Sequence, residues 1–479
     1  MAATPSDHRL LRPLGTTGLA CHPMGFGCYR IADANAAHEQ ALRDYLARGG
    51  NLIDTSANYG DGHSEVLVGK VLRDVPRERV IVVTKGGYIQ GQNMALALRR
   101  KFPEVVEYGE GIWHSIHPEF LETQVRMSAE RMGLARIDVY LLHNPEYFLE
   151  HAAHNGPVAK REHDEFYRRV KEAFRFLEAK VAEGVIGWYG ISSNNFGMPI
   201  SNPTMTRIER CWQAAEAVSS SHHFRIVQLP MNLYETGGAL VLNNEGKTAL
   251  DYCRSKGIGV LINRPLNAFS GNRMVRLADF VRPGEAPPGK ERLHALLEPV
   301  RAMEERLEEQ FDIPLIYGEK QGIAHYLETI VPQMQSLAHW QEIFREYVLQ
   351  PIQQWATQCQ QLYSDREEWK KWWSEFVARL PEAFEEISRY LAASQQTASD
   401  AIRAQLTLAG YPETRESLSR MALNVLLHLD GVSCVLNGMR RPEYVADSMG
   451  VVSIDPVDSL SILRNFSRQI HQDPAVSIQ

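Results

Sequence analysis

The chain has 479 residues, 44% of them apolar and 23% charged, the composition of a globular protein with a large core. Its 51 basic and 58 acidic side chains give a net charge of −7, which does not suggest binding to nucleic acid or an anionic membrane surface, both of which need clustered positive charge. With no run of 18 apolar residues, no apolar stretch near residue 1 and no C-x-x-C among six cysteines, we expect a cytoplasmic protein with inert thiols, no membrane span and no metal site.

The Gly-flanked segment RPLGTTGLACHP reads as a hairpin capping a barrel floor. Strand patterns follow in order: MGFGCY from Met24, NLIDTS from Asn51, VIVVTKG from Val80, IDVYLLH from Ile137, VIGWYGIS from Val185, RIVQLPMN from Arg225 and IGVLINRPL from Ile258. An eighth, GVSCVLNG, comes late at Gly431. Helical runs such as HEQALRDYLARG and PEFLETQVRMSAERMG lie between them, several ending in Gly, the residue that accepts the left-handed helix-terminating conformation. Buried strands alternating with helices predict a parallel sheet, and eight such units predict a closed (β/α)8 TIM barrel.

One region breaks the rhythm. From Asp312 to Ser417 helical periodicity dominates, with Pro332, Pro351 and Pro381 as kinks or boundaries. The predicted division is residues 1–311 for barrel units one to seven, 312–417 for a helical insertion between strand seven and the last unit, and 418–479 for unit eight with the tail. Five of the eight tryptophans fall in the insertion: Trp340, Trp355, Trp369, Trp372 and Trp373. Three readings stand open for it: the packed core of an accessory domain, a surface for an oligomer or protein partner, or a lid on the substrate site. The long segment from Ile89 to His117, with Trp113 and His114, is expected to border substrate.

Barrel chemistry sits at the carboxyl ends of the strands. Strand two ends in Asp54 and leads to Tyr59, strand three ends in Lys85, and strand four ends in His143. Reducing a carbonyl by hydride transfer puts negative charge on oxygen, so a proton donor must be in place. A phenol is a poor donor unless tuned, and a neighbouring cation favours the phenolate. Lys85 would supply that cation, Asp54 would hold it, and His143 would hydrogen-bond the substrate oxygen. Taken singly, each is an ordinary turn carboxylate, packed aromatic, solvated lysine or core histidine; four suitable types at successive strand ends point to a site.

These residues carry a resemblance to the aldo-keto reductase family. GGNLIDTSANYGDGHSEVLVGKVL resembles the family's G-x-N-x-x-D-T-A-x-x-Y-G-x-x-E-x-x-x-G segment, and VIVVTKGG, RIDVYLLHNP, GWYGISSNNF, VQLPMN and RPL resemble the blocks that follow, in the same order. The resemblance covers about residues 9–270 and 418–450 and omits the insertion. It implies a barrel reductase with Tyr59 as general acid and Asp54, Lys85 and His143 as its partners.

A strand-linked G-x-G-x-x-G is absent, so a Rossmann site is not indicated. The resemblance implies nicotinamide held by Ser192, Ser193 and Asn194 after strand five and by Gln228 on strand six, with the doubled SSNN leaving open which Ser/Asn pair serves. Gln228 lies in an apolar strand, where an amide without partners is costly, which also favours a ligand-facing role. Arg264, Pro265 and Leu266 follow strand seven, Arg264 where many relatives carry a stacking aromatic; it would stack by its planar guanidinium, contact pyrophosphate or remain a surface cation. Gly438, Arg440 and Arg441 in GMRRPEYVADSMG resemble the adenosine-phosphate segment, although its E-x-x-E-N ending is replaced by Ala446, Asp447 and Ser448. The expected activity is NADPH-dependent reduction of an aldehyde, ketone or sugar-like carbonyl, with NAD a possible cofactor. The alternatives are an aldose or alcohol dehydrogenase working in the oxidative direction, and a nucleotide-binding regulatory barrel acting through its helical insertion.

Overall fold

The computed structural model describes residues 11–270, 273–281, 290–311, 313, 315–317, 321–334 and 336–472. Asp312, where the sequence reading opens the helical insertion, lies outside them. The chain forms two compact units, residues 1–277 with 405–479, and residues 278–404.

The first unit is the barrel. Its strands are β1 (Met24–Gly27), β2 (Leu52–Asp54), β3 (Ile81–Gly86), β4 (Ile137–His143), β5 (Ile186–Ser192), β6 (Phe224–Pro230), β7 (Gly259–Asn263) and β8 (Cys434–Asn437). Each pairs in parallel with the next, and β8 closes on β1 through Val435 opposite Met24 and Asn437 opposite Phe26. All eight lie where the sequence places them. Side chains alternate in and out along a barrel strand. The inward set of Leu52, Ile81, Val83, Val139, Leu141, Ile226, Leu261, Cys434 and Leu436 fills the interior. The hairpin of Arg12–Pro13 with Ala20–Cys21 closes one end, since Leu14 and Cys21 join the same cluster.

Two excursions leave the barrel at its carboxyl ends. After β3, strands Tyr88–Ile89, Ile112–His114 and Val106–Gly109 form a three-stranded antiparallel sheet with the helix Gln92–Arg100, where the sequence reads only a long loop. After β7, Asn267–Ser270 pairs with Arg273–Arg276 as an antiparallel hairpin.

The second unit is helical. Helices Lys290–Phe311, Ile323–Ile330, Leu337–Ile343 and Gln350–Tyr363 and the long helix Glu367–Leu408 surround a core that includes Leu297, Val300, Met303, Leu327, Trp340, Trp355, Trp369, Trp372 and Phe376. Four of its five tryptophans are packed inside and Trp373 is half-buried against them: Trp369 and Trp372 stack with ring centroids 5.5 Å apart, and Trp372 donates its indole N–H to the Met303 carbonyl at 3.0 Å. Of the two expectations for Pro381, a kink or a boundary, the boundary does not occur: Glu367–Leu408 runs through it as one helix. Among the described residues all six cysteines are buried and unbridged, no helix is long and apolar enough to cross a membrane, and no group of three or more His, Cys, Asp or Glu side chains is arranged to hold a metal ion.

Candidate active site

Period-two alternation builds the site. Two residues beyond the interior Leu52, Val83, Leu141, Ile226 and Leu261 come Asp54, Lys85, His143, Gln228 and Asn263, on the same inward face and one level nearer the carboxyl end. Ser192 ends β5 directly opposite His143 on one side and Gln228 on the other. An apolar layer therefore gives way to a polar one. Polar groups buried there must satisfy one another.

They do so as a continuous chain. Lys85 Nζ donates to Asp54 Oδ2 and to the Thr55 carbonyl, each at 2.8 Å, and to the Tyr59 hydroxyl at 3.4 Å. Gln228 Nε2 donates to Asp54 Oδ1 at 2.8 Å, while Gln228 Oε1 accepts from Ser192 Oγ at 3.0 Å and from Asn263 Nδ2 at 3.2 Å. The Tyr59 ring stands edge-on to that of His143 with centroids 5.9 Å apart. All four residues expected at the catalytic centre are thus neighbours. The Lys85 side chain is fully buried and that of Asp54 is 5% exposed, so removing either partner strands a buried charge, at about 3–5 kcal/mol.

Burial dominates the electrostatics. The Tyr59 hydroxyl is pushed up to about 12 by desolvation, against the downward pull of Lys85, although the residue keeps part of its surface open. A neighbouring cation is expected to lower this pKa; Lys85 does act in that direction, but burial outweighs it. Burial opposes the charge on Lys85, yet Asp54 and Tyr59 prevail and hold its ammonium above the ordinary lysine value. The Asp54 carboxyl is raised by desolvation against Lys85 and Gln228. Burial, with Lys85 and His114 nearby, drives the His143 imidazole well below its usual value, so it is neutral around pH 7.

The residues expected at the cofactor fall into two groups. Ser192 and Gln228 bond to each other and to the centre. Gln228 therefore does not need a ligand to escape an unpaired amide. Ser193 Oγ donates to Thr206 Oγ1 at 3.2 Å, and Asn195 Nδ2 donates to Glu150 and to Thr204. Asn194 donates its backbone N–H to Glu146 at 2.7 Å, and its side-chain amide has no partner among the described residues. Glu146 itself is buried and pushed up to about 8 by desolvation.

Beyond β7, Arg264 adopts φ +52°, pairs with Glu235 at 2.6 Å and lies over the Phe269 ring; Pro265 and Leu266 form the turn that its carbonyl closes by accepting from the Asn267 N–H. Three polar atoms in this short stretch are buried with no hydrogen-bond partner: Asn263 Oδ1, Arg264 Nε and Asn267 Oδ1. Beyond β8, a Cβ added to Gly438 meets nothing within 4 Å, and Arg441 caps the helix Pro442–Met449 with no side-chain cap bond. Asp447 and Ser448, which replace the expected acidic ending, serve internally: Asp447 pairs with Arg420 at 3.0 Å, and Ser448 accepts from Asn437 at 2.7 Å.

Sequence reasoning missed Ser56, Tyr88, Arg30 and Arg276 here, whereas His114 lies in the segment expected to border substrate. Ser56 Oγ lies 3.0 Å from His143 Nδ1, and the inserted sheet brings His114, whose Nε2 donates to the His143 carbonyl at 2.7 Å, and Tyr88, whose ring stands 4.7 Å edge-on to that of His143. Arg276 is depressed first by burial and then by Arg30 and Arg440, so three guanidiniums gather where β1, β7 and β8 end. None of the three has an acidic partner among the described residues. The available signal was a basic residue in each of three loops that barrel closure makes adjacent.

Comparison with known proteins adds the following. The sequence model of the Aldo/keto reductase family matches residues 23–314. The NADH-specific methylglyoxal reductase of Escherichia coli (strain K12) is 34% identical over 139 residues, 27% of this chain and 40% of the relative. A D-threo-aldose 1-dehydrogenase of a Pseudomonas species is 30% identical over 193 residues, 37% of this chain and 51% of the relative. The chain thus spans about half the length of the curated relatives it matches. Among solved structures, a holo-form aldo-keto reductase from Bacillus halodurans aligns over 95% of both chains at 15% identity and a TM-score of 0.49.

Proposed function

The chain belongs to the aldo/keto reductase family, and from that premise we propose that it is an NADPH-dependent oxidoreductase that reduces an aldehyde, ketone or sugar-like carbonyl with Tyr59 as proton donor. The observation that carries this reading is the buried Asp54–Lys85–Tyr59 chain of contacts at 2.8 and 3.4 Å.

When bound, reduced nicotinamide supplies the hydride. The protein's residues do the rest. As the carbonyl carbon gains hydride, its oxygen becomes basic, and the Tyr59 phenol gives up its proton to it. Lys85 stabilises the phenolate left behind, and Asp54 keeps Lys85 charged and aimed. Neutral His143 donates a hydrogen bond to the same oxygen. A pKa near 12 keeps the donor proton on Tyr59 until the developing alkoxide, a much stronger base, takes it.

The residues present fit a dinucleotide. Three orphaned polar atoms at the end of β7 call for a polar ligand, because unpaired buried groups each cost about 1–3 kcal/mol. Arg264, Pro265 and Leu266 would border it there. Arg440 and Arg441 beside the open Gly438, joined by Arg30 and Arg276, suit a dianionic phosphate, which favours NADPH over NADH. The carboxamide would be held by the free amide of Asn194 together with Ser192 and Gln228, which keep a hydroxyl lone pair and one amide N–H unused, with Ser193 supporting the turn.

The test is direct. Purified protein should bind NADPH more tightly than NADH and oxidise it with a panel of small aldehydes. Tyr59→Phe should lower kcat roughly a hundred- to ten-thousand-fold while the NADPH Kd stays within about two-fold. A kcat that falls less than about ten-fold in Tyr59→Phe overturns the assignment. The Pseudomonas relative's name favours a second reading, oxidation of an aldose by the same residues in reverse; a faster rate with NADP+ and an aldose than with NADPH and an aldehyde selects it.

A further inference from the structure

We propose that Ser56 is a positioning residue that sets the ring plane and the tautomer of His143, with Asn58 as the link behind it. This rests on the reductase reading above. The family segment carries alanine in D-T-A where this chain has Asp54-Thr55-Ser56. The substitution places a hydroxyl inside the catalytic ring.

Ser56 is buried, and three acceptors surround its single proton: Asn58 Oδ1 at 2.7 Å, His143 Nδ1 at 3.0 Å and the Lys85 carbonyl at 3.3 Å. The Lys85 carbonyl is the most distant of the three and also accepts from the Ala57 N–H at 3.2 Å, so Asn58 and His143 are the closer competitors. If Ser56 donates to Asn58, its oxygen must accept from Nδ1–H, and Nε2 is then a bare lone pair. If Ser56 donates to Nδ1, the ring proton sits on Nε2. His143 Nε2 makes no hydrogen bond among the described residues, so it is the nitrogen left for substrate.

A carbonyl oxygen only accepts. Carbonyl reduction therefore needs the second state, with the proton on Nε2. A half-turn of the Asn58 amide provides it, because the amide then donates to Ser56 Oγ and frees the hydroxyl proton for Nδ1. The other Asn58 contact, to Gln90 at 3.4 Å, is long, and a matching half-turn of the Gln90 amide, which has no other side-chain bond among the described residues, keeps donor facing acceptor. Asn58, Ser56 and His143 thus form a short relay that turns the imidazole from acceptor to donor. His114 fixes the backbone of His143 from the opposite side, which leaves the ring as the variable part.

The experiment uses 15N-histidine-labelled full-length protein with NADPH, and compares wild type, Ser56→Ala and Ser56→Thr. Wild type should show His143 protonated at Nε2; Ser56→Ala should shift the ring toward Nδ1 protonation and lower kcat about ten-fold with an unchanged NADPH Kd. Ser56→Thr keeps the hydroxyl and should restore both. Unchanged tautomer and kcat in Ser56→Ala, or a fall in kcat without a tautomer shift, overturns the proposal. Loss of carbonyl turnover in every form, wild type included, would remove the reductase reading instead, while the 15N spectra would still decide what Ser56 does to His143.

Discussion

At the scale of the residue, the centre is legible because its chemistry sits on strand ends that hydrophobic alternation marks. A polar residue two positions after an interior apolar one is a simple signal, and it holds for Asp54, Lys85 and His143. What spacing does not carry is burial, which decides protonation. Tyr59 is raised to about 12, Lys85 is raised, and His143 is lowered well below 6.5. The consequence for rate has a clear sign. Tyr59 and Lys85 keep their protons up to the alkaline range, and His143 stays neutral above about pH 7. We therefore expect kcat/KM for carbonyl reduction to stay level between about pH 7 and pH 9, measured at saturating NADPH. A basic limb inside that window, absent when Tyr59 is replaced by phenylalanine in the residual rate, would mean that Lys85 outweighs burial after all. The contacts that Gln228 and Ser56 make were out of reach for the same reason: each depends on which buried groups face it, and those come from other strands.

At the scale of the element, long periodic segments read well and short ones do not. The eight barrel strands show runs of apolar or β-branched residues bounded by turn residues. The sheet after β3 uses strands of two to four residues separated by a helix, too short for period two to emerge. Pro381 does not mark a boundary, because the Glu367–Leu408 helix has packed side chains on both sides of it: Phe376 and Leu380 before, Ala383 and Ile387 after. Strand packing also gives a prediction. A Cβ at Gly190 on β5 lies 1.8 Å from the Ile226 carbonyl, at the point where the β5–β6 register shifts. Gly190→Ala should cost roughly 3 kcal/mol or more, read as a lower urea midpoint with the same m-value. Gly109→Ala is the control: an added Cβ meets nothing within 4 Å there, so its midpoint should barely move. Equal shifts in the two variants would refute the close-approach argument.

At the scale of the whole molecule, helical periodicity and the break in strand–helix alternation mark a helical insertion after strand seven, but its limits are harder to see. The sequence reading draws them at 312 and 417, and the compact helical unit comprises residues 278–404. Helix Lys290–Phe311 accounts for much of the difference, since Leu293, Leu297, Val300, Met303 and Leu307 all join the helical core, and a single amphipathic helix does not announce which core it serves. Two units with separate cores should melt as two transitions with different reporters. Five of the eight tryptophans belong to the helical unit, so intrinsic fluorescence should follow that unit above all. NADPH should bind only the folded barrel, and at a hundred times its Kd it stabilises that state by about 2.7 kcal/mol. We expect NADPH to raise the barrel transition by calorimetry and leave the fluorescence transition in place. Trp369→Ala should do the reverse, lowering the fluorescence transition by about 3–5 kcal/mol of stability because Trp369 is nearly fully buried in that core. If NADPH lifts both transitions together, the units unfold as one, and the stability of the insertion is tied to occupancy of the catalytic site.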